Sequence, residues 1–278
     1  MEYLENAFKF WGKFKWLIVP LFILCCVAVF LGNPALKEIT GTLNEVTDLG
    51  LVTGEAENID LYDVLDKIAP NIGILLQVVL LVLFLSIFIF PATYGMIIRG
   101  YETGATGLGS FFTSLKKYFI KFILYFLSVL IIMAAVAIIY LLFFFIFPFI
   151  FIISWQLATI VFIGVIIASV IFLCFLFNVL NIWFVALAWD DMKVLEGFFK
   201  AFELVKGCFW SCVGIAFSMA FIYITVNALI GGVLENIIIV SYFIKSFLLS
   251  MCIYVLMVYG FELYRDKTEK NSVLGDYL

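Results

Sequence analysis

Histidine is absent from this chain of 278 residues, and only 13% of the residues are charged. Without histidine the chain lacks the usual general base, the usual proton shuttle and the commonest metal ligand. Because 66% of the residues are hydrophobic, so few charges could not cover the surface of a water-soluble domain. The composition excludes a soluble protein and predicts an integral membrane protein.

Cysteine is present six times but never in a CxxC pair. The six residues lie within or at the edges of apolar segments, where free cysteine packs as a small hydrophobe. We therefore expect neither a disulfide framework nor a zinc site, and the chain offers no other candidate site for a metal or a cofactor. The cysteines are Cys25, Cys26, Cys174, Cys208, Cys212 and Cys252.

The longest uncharged segment covers residues 122–189, which include no Asp, Glu, Lys or Arg. A bilayer core is crossed by about 20 apolar helical residues, so this segment is long enough for two spans. Phe147-Pro148-Phe149 is the natural break, which predicts helices at 122–147 and 156–189. Further spans are predicted at 16–31, 71–98, 209–230 and 246–261.

The start of the sixth span has two interpretations. In the first, residues 236–244 lie along the membrane surface and Lys245 stands at the mouth of the span. In the second, the span starts at Asn236 and buries Lys245, at a cost of about 2.5 to 3.5 kcal/mol. Because lysine can extend its ammonium group toward the headgroups, the first interpretation is favoured.

The predicted fold class is all-α, a polytopic membrane bundle of six transmembrane helices. The helices form three hairpin repeats, and an interfacial amphipathic helix precedes each hairpin. The first repeat has its amphipathic helix at 1–15 and its hairpin at 16–98. The second and third repeats cover 108–189 and 194–262, with amphipathic helices at 108–121 and 194–207, and a tail follows at 263–278.

The repeat signature consists of a start and an exit that recur with fixed spacing. The starts are Ala7-Phe8 with Trp16, Ser110-Phe111 with Phe119, and Ala201-Phe202 with Trp210. The exits join an aromatic residue to an acid, at Tyr101-Glu102, Trp189-Asp190 and Phe261-Glu262.

Residues 33–70 form the one sizeable polar insert, an acidic loop within the first hairpin. Leu61, Val64, Leu65 and Ile68 recur at helical spacing, which predicts a short surface helix that Asp60 caps and Pro70 ends. The acids lack the spacing and the glycine of an EF-hand loop, so a solvated acidic face is favoured over a calcium site.

The link after the second span is rich in glycine, with Gly100, Gly104, Gly107 and Gly109 in the sequence GYETGATGLG. A phosphate-binding loop is one interpretation of such a link. Because no strand precedes these glycines, the sequence favours a flexible linker.

Basic residues are distributed unequally over the predicted loops. With six spans, Lys37, Lys67 and Lys245 fall on one side, and the other 13 of the 16 basic residues fall on the opposite side. The positive-inside rule then places both termini in the cytoplasm of a multi-pass cell-membrane protein, with the acidic loop outside.

Amide side chains within the spans are the candidate ligand-facing residues. Asn178 and Asn181 share one helical face and could line a cavity together, and Gln77 and Asn227 lie in other spans. The alternative is interhelical hydrogen bonding, worth roughly 0.6 to 2 kcal/mol per contact. We identify no candidate catalytic residue, and Lys245 is the one marginal ionisable group in a span, which argues against ion-coupled transport.

A family resemblance supports the fold. Residues 196–210, Glu196-Gly197-Phe198-Phe199-Lys200-Ala201-Phe202-Glu203-Leu204-Val205-Lys206-Gly207-Cys208-Phe209-Trp210, follow a helix ending in Trp189-Asp190-Asp191. This stretch resembles the recurring cytoplasmic helix of prokaryotic six-span proteins of unknown function, including the membrane domain attached to some glycerophosphodiester phosphodiesterases. The exit Tyr94-Gly95-Met96-Ile97-Ile98-Arg99-Gly100 is similar to that of one such uncharacterised family.

The resemblance implies the six-span fold and no particular reaction. The given sequence contains no soluble catalytic domain, so we expect no phosphodiesterase activity and no other enzyme activity. The predicted function is binding of lipid-like or amphipathic molecules, or a role as a membrane-embedded accessory or scaffold. The alternative is an uncoupled small-molecule transporter or channel. The predicted partners are membrane lipids and other membrane proteins, and no nucleic acid.

Overall fold

The structure, a computed structural model, describes residues 2–53, 61–233 and 237–269. Within these ranges the chain forms helices joined by short connections, and no strand. The all-α prediction is confirmed. The eight α-helices are α1 (Glu2–Lys13), α2 (Val19–Thr53), α3 (Leu61–Thr103), α4 (Phe111–Ile153), α5 (Trp155–Trp189), α6 (Val194–Gly207), α7 (Phe209–Val233) and α8 (Ile238–Lys267). Short 3₁₀ turns at Lys15–Ile18 and Leu108–Ser110 lead into α2 and α4.

Six helices in the described part of the chain are long and apolar enough to cross a membrane. This number confirms the prediction of a multi-pass membrane protein with six candidate spans. The spans are Lys15–Glu45, Val64–Thr103, Leu108–Phe145, Trp155–Trp189, Phe209–Ile230 and Ile238–Lys267.

The break between the third and fourth spans differs from the prediction. Helix α4 continues through Pro148, and the chain turns at Ser154, whose backbone is extended with φ −163°. The Ser154 hydroxyl accepts a hydrogen bond from the amide of Leu157 at 3.4 Å, as an N-cap residue does. Proline interrupts helices less strictly in membranes, where neighbouring groups can satisfy the carbonyl that it frees.

The amphipathic segments are not all separate helices. Residues 2–13 and 194–207 form the separate helices α1 and α6, but residues 111–121 are the first turns of α4. The prediction of a separate helix at 108–121 is therefore wrong. Its sequence after Ser110 contains neither glycine nor proline, so nothing interrupts the helix before the apolar span begins.

The acidic insert is helical wherever the structure describes it. Helix α2 extends to Thr53, and α3 begins at Leu61 and continues through Pro70. The prediction that Pro70 ends a short surface helix is wrong. Pro70 is exposed, so the helix tolerates the one backbone hydrogen bond that proline cannot donate. Asp60, the predicted cap, lies outside the described residues.

The last span begins earlier than the favoured interpretation placed it. Helix α8 starts at Ile238 and contains Lys245, so residues 238–244 are not a separate surface segment. Lys245 is half-buried, and its aliphatic stem can lie along the helix while the ammonium group extends away. Asn236, the alternative start, lies outside the described residues.

The chain divides into two compact units. The first unit comprises 1–17, 91–224 and 252–278, and the second comprises 18–90 and 225–251. In the second unit, Phe30 of α2 packs edge-on against Tyr242 and Phe243 of α8, with ring centroids 5.4 and 5.1 Å apart. The Ser246 hydroxyl donates to the carbonyl of Tyr242 at 2.8 Å. Aromatic contacts thus join α2 to the beginning of α8.

The first unit contains the long hairpin of α4 and α5, most of whose apolar surface is exposed. In their most hydrophobic 18-residue windows, only 11% of the residues in the α4 span and 6% in the α5 span are buried. In water such a surface would aggregate, whereas lipid solvates it. The exposure therefore agrees with the membrane assignment.

Candidate functional site

The two asparagines predicted to share a face are buried in the first unit. Asn178 and Asn181 of α5 are 1% and 5% exposed. The Asn178 amide donates to the carbonyl of Cys174 in its own helix at 2.8 Å and to that of Cys212 in α7 at 3.1 Å. Asn178 thus links α5 to α7.

Asn181 makes a second link one turn further along α5. Its amide nitrogen donates to the carbonyl of Leu256 in α8 at 2.7 Å, and its oxygen accepts from the Tyr94 hydroxyl of α3 at 2.6 Å. Both asparagines therefore make the interhelical hydrogen bonds that the alternative interpretation described. Their use as ligand-facing groups stays a prediction.

The other two predicted site residues lie in the second unit. Gln77 is exposed on α3, and Asn227 of α7 is partly buried. The Asn227 side-chain oxygen is buried and has no hydrogen-bond partner among the described residues. The four amides thus divide between the two units, with only Asn178 and Asn181 on a common helix.

An aromatic cluster, which we call the exit junction, joins three helix ends in the first unit. It consists of Tyr101 from α3, Trp189 from α5 and Phe261 from α8. The ring centroids of Tyr101 and Trp189 are 5.5 Å apart, those of Tyr101 and Phe261 are 5.9 Å apart, and those of Trp189 and Phe261 are 5.5 Å apart. These are the three aromatic residues of the predicted exit motif, so the structure brings the three predicted exits together.

Carboxylates beside the exit junction are paired within the protein. The fully buried Glu262 accepts a hydrogen bond from the Tyr101 hydroxyl at 2.6 Å. The Arg265 guanidinium lies 2.8 Å from the other oxygen of Glu262, as an ion pair that lacks hydrogen-bond geometry. A buried charge is very costly unless it is paired, so these contacts lower the free-energy cost of burying the Glu262 carboxylate.

Two further carboxylates follow Trp189. The Tyr264 hydroxyl donates to Asp190. Lys121 of α4 lies 2.5 Å from Asp191, and this ammonium group lowers the pKa of the Asp191 carboxyl. These side-chain contacts of Asp190 and Asp191 hold the turn after α5, in which Asp191 adopts a positive φ of 58°.

Helix α1 packs on the exit junction. The Phe10 ring stacks on Tyr101 with centroids 4.7 Å apart, and the Tyr3 hydroxyl donates to Asp266 at 2.6 Å. A Cβ added to Gly100 would lie 2.9 Å from the Phe10 ring. A larger residue at position 100 would therefore force α1 away from α3.

Sequence reasoning missed the small residue that precedes each exit aromatic. Gly100, Ala188 and Gly260 occupy equivalent positions, so the complete motif is small, aromatic, acidic. At Gly260 the reason is close packing, because an added Cβ would lie 2.5 Å from the amide nitrogen of Asn181. Aligning the three exits residue by residue would have revealed the motif, whereas the burial of Glu262 left no sequence signal.

Basic residues are concentrated in the first unit. Lys37, Lys67 and Lys245 are the basic residues of the second unit, and every other Lys or Arg that the structure describes belongs to the first. Three exposed aromatic side chains lie near the starts of spans in this unit. Trp16 is 65% exposed, Phe112 79% and Trp210 74%.

Each of these three aromatic residues lies close in sequence to an exposed lysine. The Lys15 ammonium lies 6.0 Å from the Trp16 ring centroid. Phe112 and Lys116 line the same open cavity of about 580 Å³, together with Thr113 and Lys117. Lys206 precedes Trp210 by four residues. Paired aromatic and basic side chains of this kind are typical of a membrane interface.

Two other cavities in the first unit differ in character. One of about 320 Å³ lies between α4 and α5 and is lined mainly by apolar residues such as Val136 and Phe172. The other, of about 420 Å³, lies at the link between α3 and α4 and includes Arg99. Neither cavity is lined by Asn178 or Asn181.

No group of three or more Cys, Asp or Glu side chains in the described part of the chain could hold a metal ion. All six cysteines are free. The chain matches no protein-family model, no curated protein and no solved structure.

We predict that Gly260→Ala destabilises the first unit by about 1 to 3 kcal/mol, because the added Cβ displaces the Asn181 amide from its two hydrogen bonds. Thermal unfolding of the protein in detergent measures this as a lowered melting temperature. The matched control is Gly214→Ala in α7, where an added Cβ meets nothing within 4 Å. Equal melting temperatures for the two variants would contradict the proposed packing.

Proposed function

We propose that this chain is a non-catalytic, multi-pass protein of the cell membrane that binds anionic lipids through the basic surface of its first unit. The observation that carries the proposal is the pairing of exposed Trp16, Phe112 and Trp210 with nearby lysines at the starts of three spans. Aromatic rings at this depth sit at the acyl boundary, while the lysines reach anionic headgroups. In this role the protein serves as a lipid-binding scaffold or accessory.

The proposed orientation places both termini in the cytoplasm. The first unit holds nearly all the described basic residues, and the second holds the acids Glu38, Glu45, Asp48, Asp63 and Asp66. Because basic segments remain on the cytoplasmic side, this distribution supports a cytoplasmic end for the first unit. Helices α1 and α6 and the first turns of α4 would then lie at the inner leaflet.

We also propose that the three hairpins arose by duplication. In support, the exit aromatics meet in one cluster, and the residues that open the three repeats share their burial. Ala7 and Ala201 are fully buried, and Ser110 is nearly so. In helices without glycine-rich contact stripes, small buried residues allow close approach of a neighbour. Equivalent environments at equivalent positions are what a pseudo-threefold or serial repeat would produce.

The alternative, uncoupled passage of a small solute, has less support. A solute path needs polar groups that are free to face it. The side-chain amides of Asn178 and Asn181 instead donate hydrogen bonds to carbonyls of α5, α7 and α8. Two buried groups, the Tyr254 hydroxyl and the Asn227 side-chain oxygen, lack a hydrogen-bond partner among the described residues, and they belong to different units.

We predict that Lys15→Gln, Lys116→Gln and Lys206→Gln together reduce the enrichment of phosphatidylglycerol around the protein. Each lysine near a membrane surface contributes about 1 kcal/mol, so the triple variant loses at least tenfold in preference over phosphatidylcholine. Native mass spectrometry of protein taken from mixed-lipid nanodiscs measures the enrichment.

The control for this experiment neutralises Lys37 and Lys67 of the second unit instead. It should retain the lipid preference, and added salt should weaken the preference of the wild type. Equal loss in both variants, or no phosphatidylglycerol preference in the wild type, would refute the proposed function.

The orientation has its own test. In a background without native cysteines, single cysteines at Lys9, Lys116 and Lys206 should react with a membrane-impermeant maleimide in inside-out vesicles, because all three side chains are exposed in the first unit. A cysteine at Lys37 should react only in right-side-out vesicles. The reversed pattern would show that the termini lie outside the cell.

A further inference from the structure

An open cavity of about 420 Å³ lies at the link between α3 and α4. The cavity is lined by one basic residue, two hydroxyl residues and three small residues, namely Arg99, Thr106, Ser110, Ala105, Gly107 and Gly109. All of them belong to the first unit. The cavity also lies at the end of the Val64–Thr103 span. A polar cavity at this depth is adjacent to lipid headgroups in the proposed orientation.

Arg99 is available for a ligand. The chain has two arginines, and the other, Arg265, is paired with Glu262 inside the protein. Arg99 is exposed, and its guanidinium makes no hydrogen bond or ion pair with any residue that the structure describes. Glu102, the acid nearest in sequence, does not line the cavity.

Two glycines of the link, Gly107 and Gly109, are not explained by packing or by backbone strain. A Cβ added to Gly107 or Gly109 would meet nothing within 4 Å. Gly104 is the described glycine with a positive φ, and Gly107 has an extended φ of −172°, which any residue adopts. The absence of side chains at 107 and 109 does have one effect, which is to leave the main chain of these two lining residues uncovered.

The two hydroxyl groups of the cavity differ in their partners. That of Ser110 is bonded to the main chain, and that of Thr106 is free to rotate. The Ser110 hydroxyl donates to the carbonyl of Gly107 at 2.7 Å. The Thr106 hydroxyl has a long contact of 3.4 Å with the Ser110 oxygen. Thr106 can therefore donate to a ligand in the cavity, beside the guanidinium of Arg99.

We propose that this cavity binds the phosphate group of an anionic phospholipid. A planar guanidinium with five N–H donors beside a hydroxyl is a donor set that suits a tetrahedral oxyanion, and the uncovered main chain at Gly107 and Gly109 lets such a group approach closely. The first turns of α4, which follow Ser110 directly in the sequence, add Lys116 and Lys117 and with them positive charge. The inference rests on the proposed function and adds to it a defined site with a defined headgroup chemistry.

The test measures binding of a phosphatidic acid with a fluorophore on its acyl chain, by fluorescence anisotropy of the full chain in detergent. Unlabelled phosphatidic acid should compete and phosphatidylcholine should not.

Arg99→Gln should weaken binding about tenfold, because it removes hydrogen bonds to a charged ligand. Gly107→Val should weaken binding as well, since it fills part of the cavity at a position whose extended backbone suits valine. Lys13→Gln, an exposed lysine elsewhere in the first unit, should change binding less than twofold.

The outcomes separate this site from the proposed function. Equal small losses for Arg99→Gln and Lys13→Gln, with lipid preference intact, would overturn the site and leave the basic surface as the lipid-binding element. A wild type that does not prefer phosphatidic acid would overturn both.

Millimolar inorganic phosphate forms the second arm of the test. Phosphate that displaces the labelled lipid from the wild type would support recognition of the phosphate group itself. A lack of displacement by phosphate, with displacement by unlabelled phosphatidic acid, would support the intact lipid as ligand. Arg99-dependent binding of phosphate without binding of phosphatidic acid would overturn the lipid assignment.

Discussion

The pairing of buried Glu262 with Tyr101 and Arg265 is the contact on which the first unit depends. In a membrane, apolar surface gains nothing by leaving lipid for protein, so helices associate through close packing and interhelical hydrogen bonds. Both occur at the exit junction. Three aromatic rings pack there, and a carboxylate without exposed surface holds α3 and α8 together through the hydroxyl of Tyr101. Loss of Arg265 would leave a buried charge uncompensated, and loss of the Tyr101 hydroxyl would remove the hydrogen bond between the two helices.

This internal pairing separates the polar groups of the first unit into two sets. Asn178, Asn181, Glu262 and Arg265 serve helix association and are not presented to a ligand. The lysines near the span starts and the guanidinium of Arg99 remain at the surface. The groups that remain available to a ligand are therefore surface cations, and the lysines lie next to exposed aromatic rings. Such a surface suits anionic headgroups better than a solute that must cross the membrane.

Much of the fold could be predicted from the sequence, because long uncharged segments determine where helices cross lipid. The helix ends were less predictable. Pro70 and Pro148 suggested breaks, yet α3 and α4 continue through them, and the turn lies at Ser154. Asn178 and Asn181 were recognisable as polar residues on one face, but their partners are main-chain carbonyls, which carry no sequence signal. The role proposed for Arg99 could not be predicted, because a glycine-rich link without a preceding strand has no distinctive motif.

The most direct measurement is a double-mutant cycle between Tyr101→Phe and Glu262→Gln, with thermal unfolding in lipid nanodiscs as the readout. We expect a coupling free energy of about 1.5 kcal/mol or more, because the hydroxyl bonds to a fully buried carboxylate that is ion-paired with Arg265. Effects that add to within about 0.5 kcal/mol would show that the two residues are independent. That result would contradict the view that the exit junction holds the first unit together.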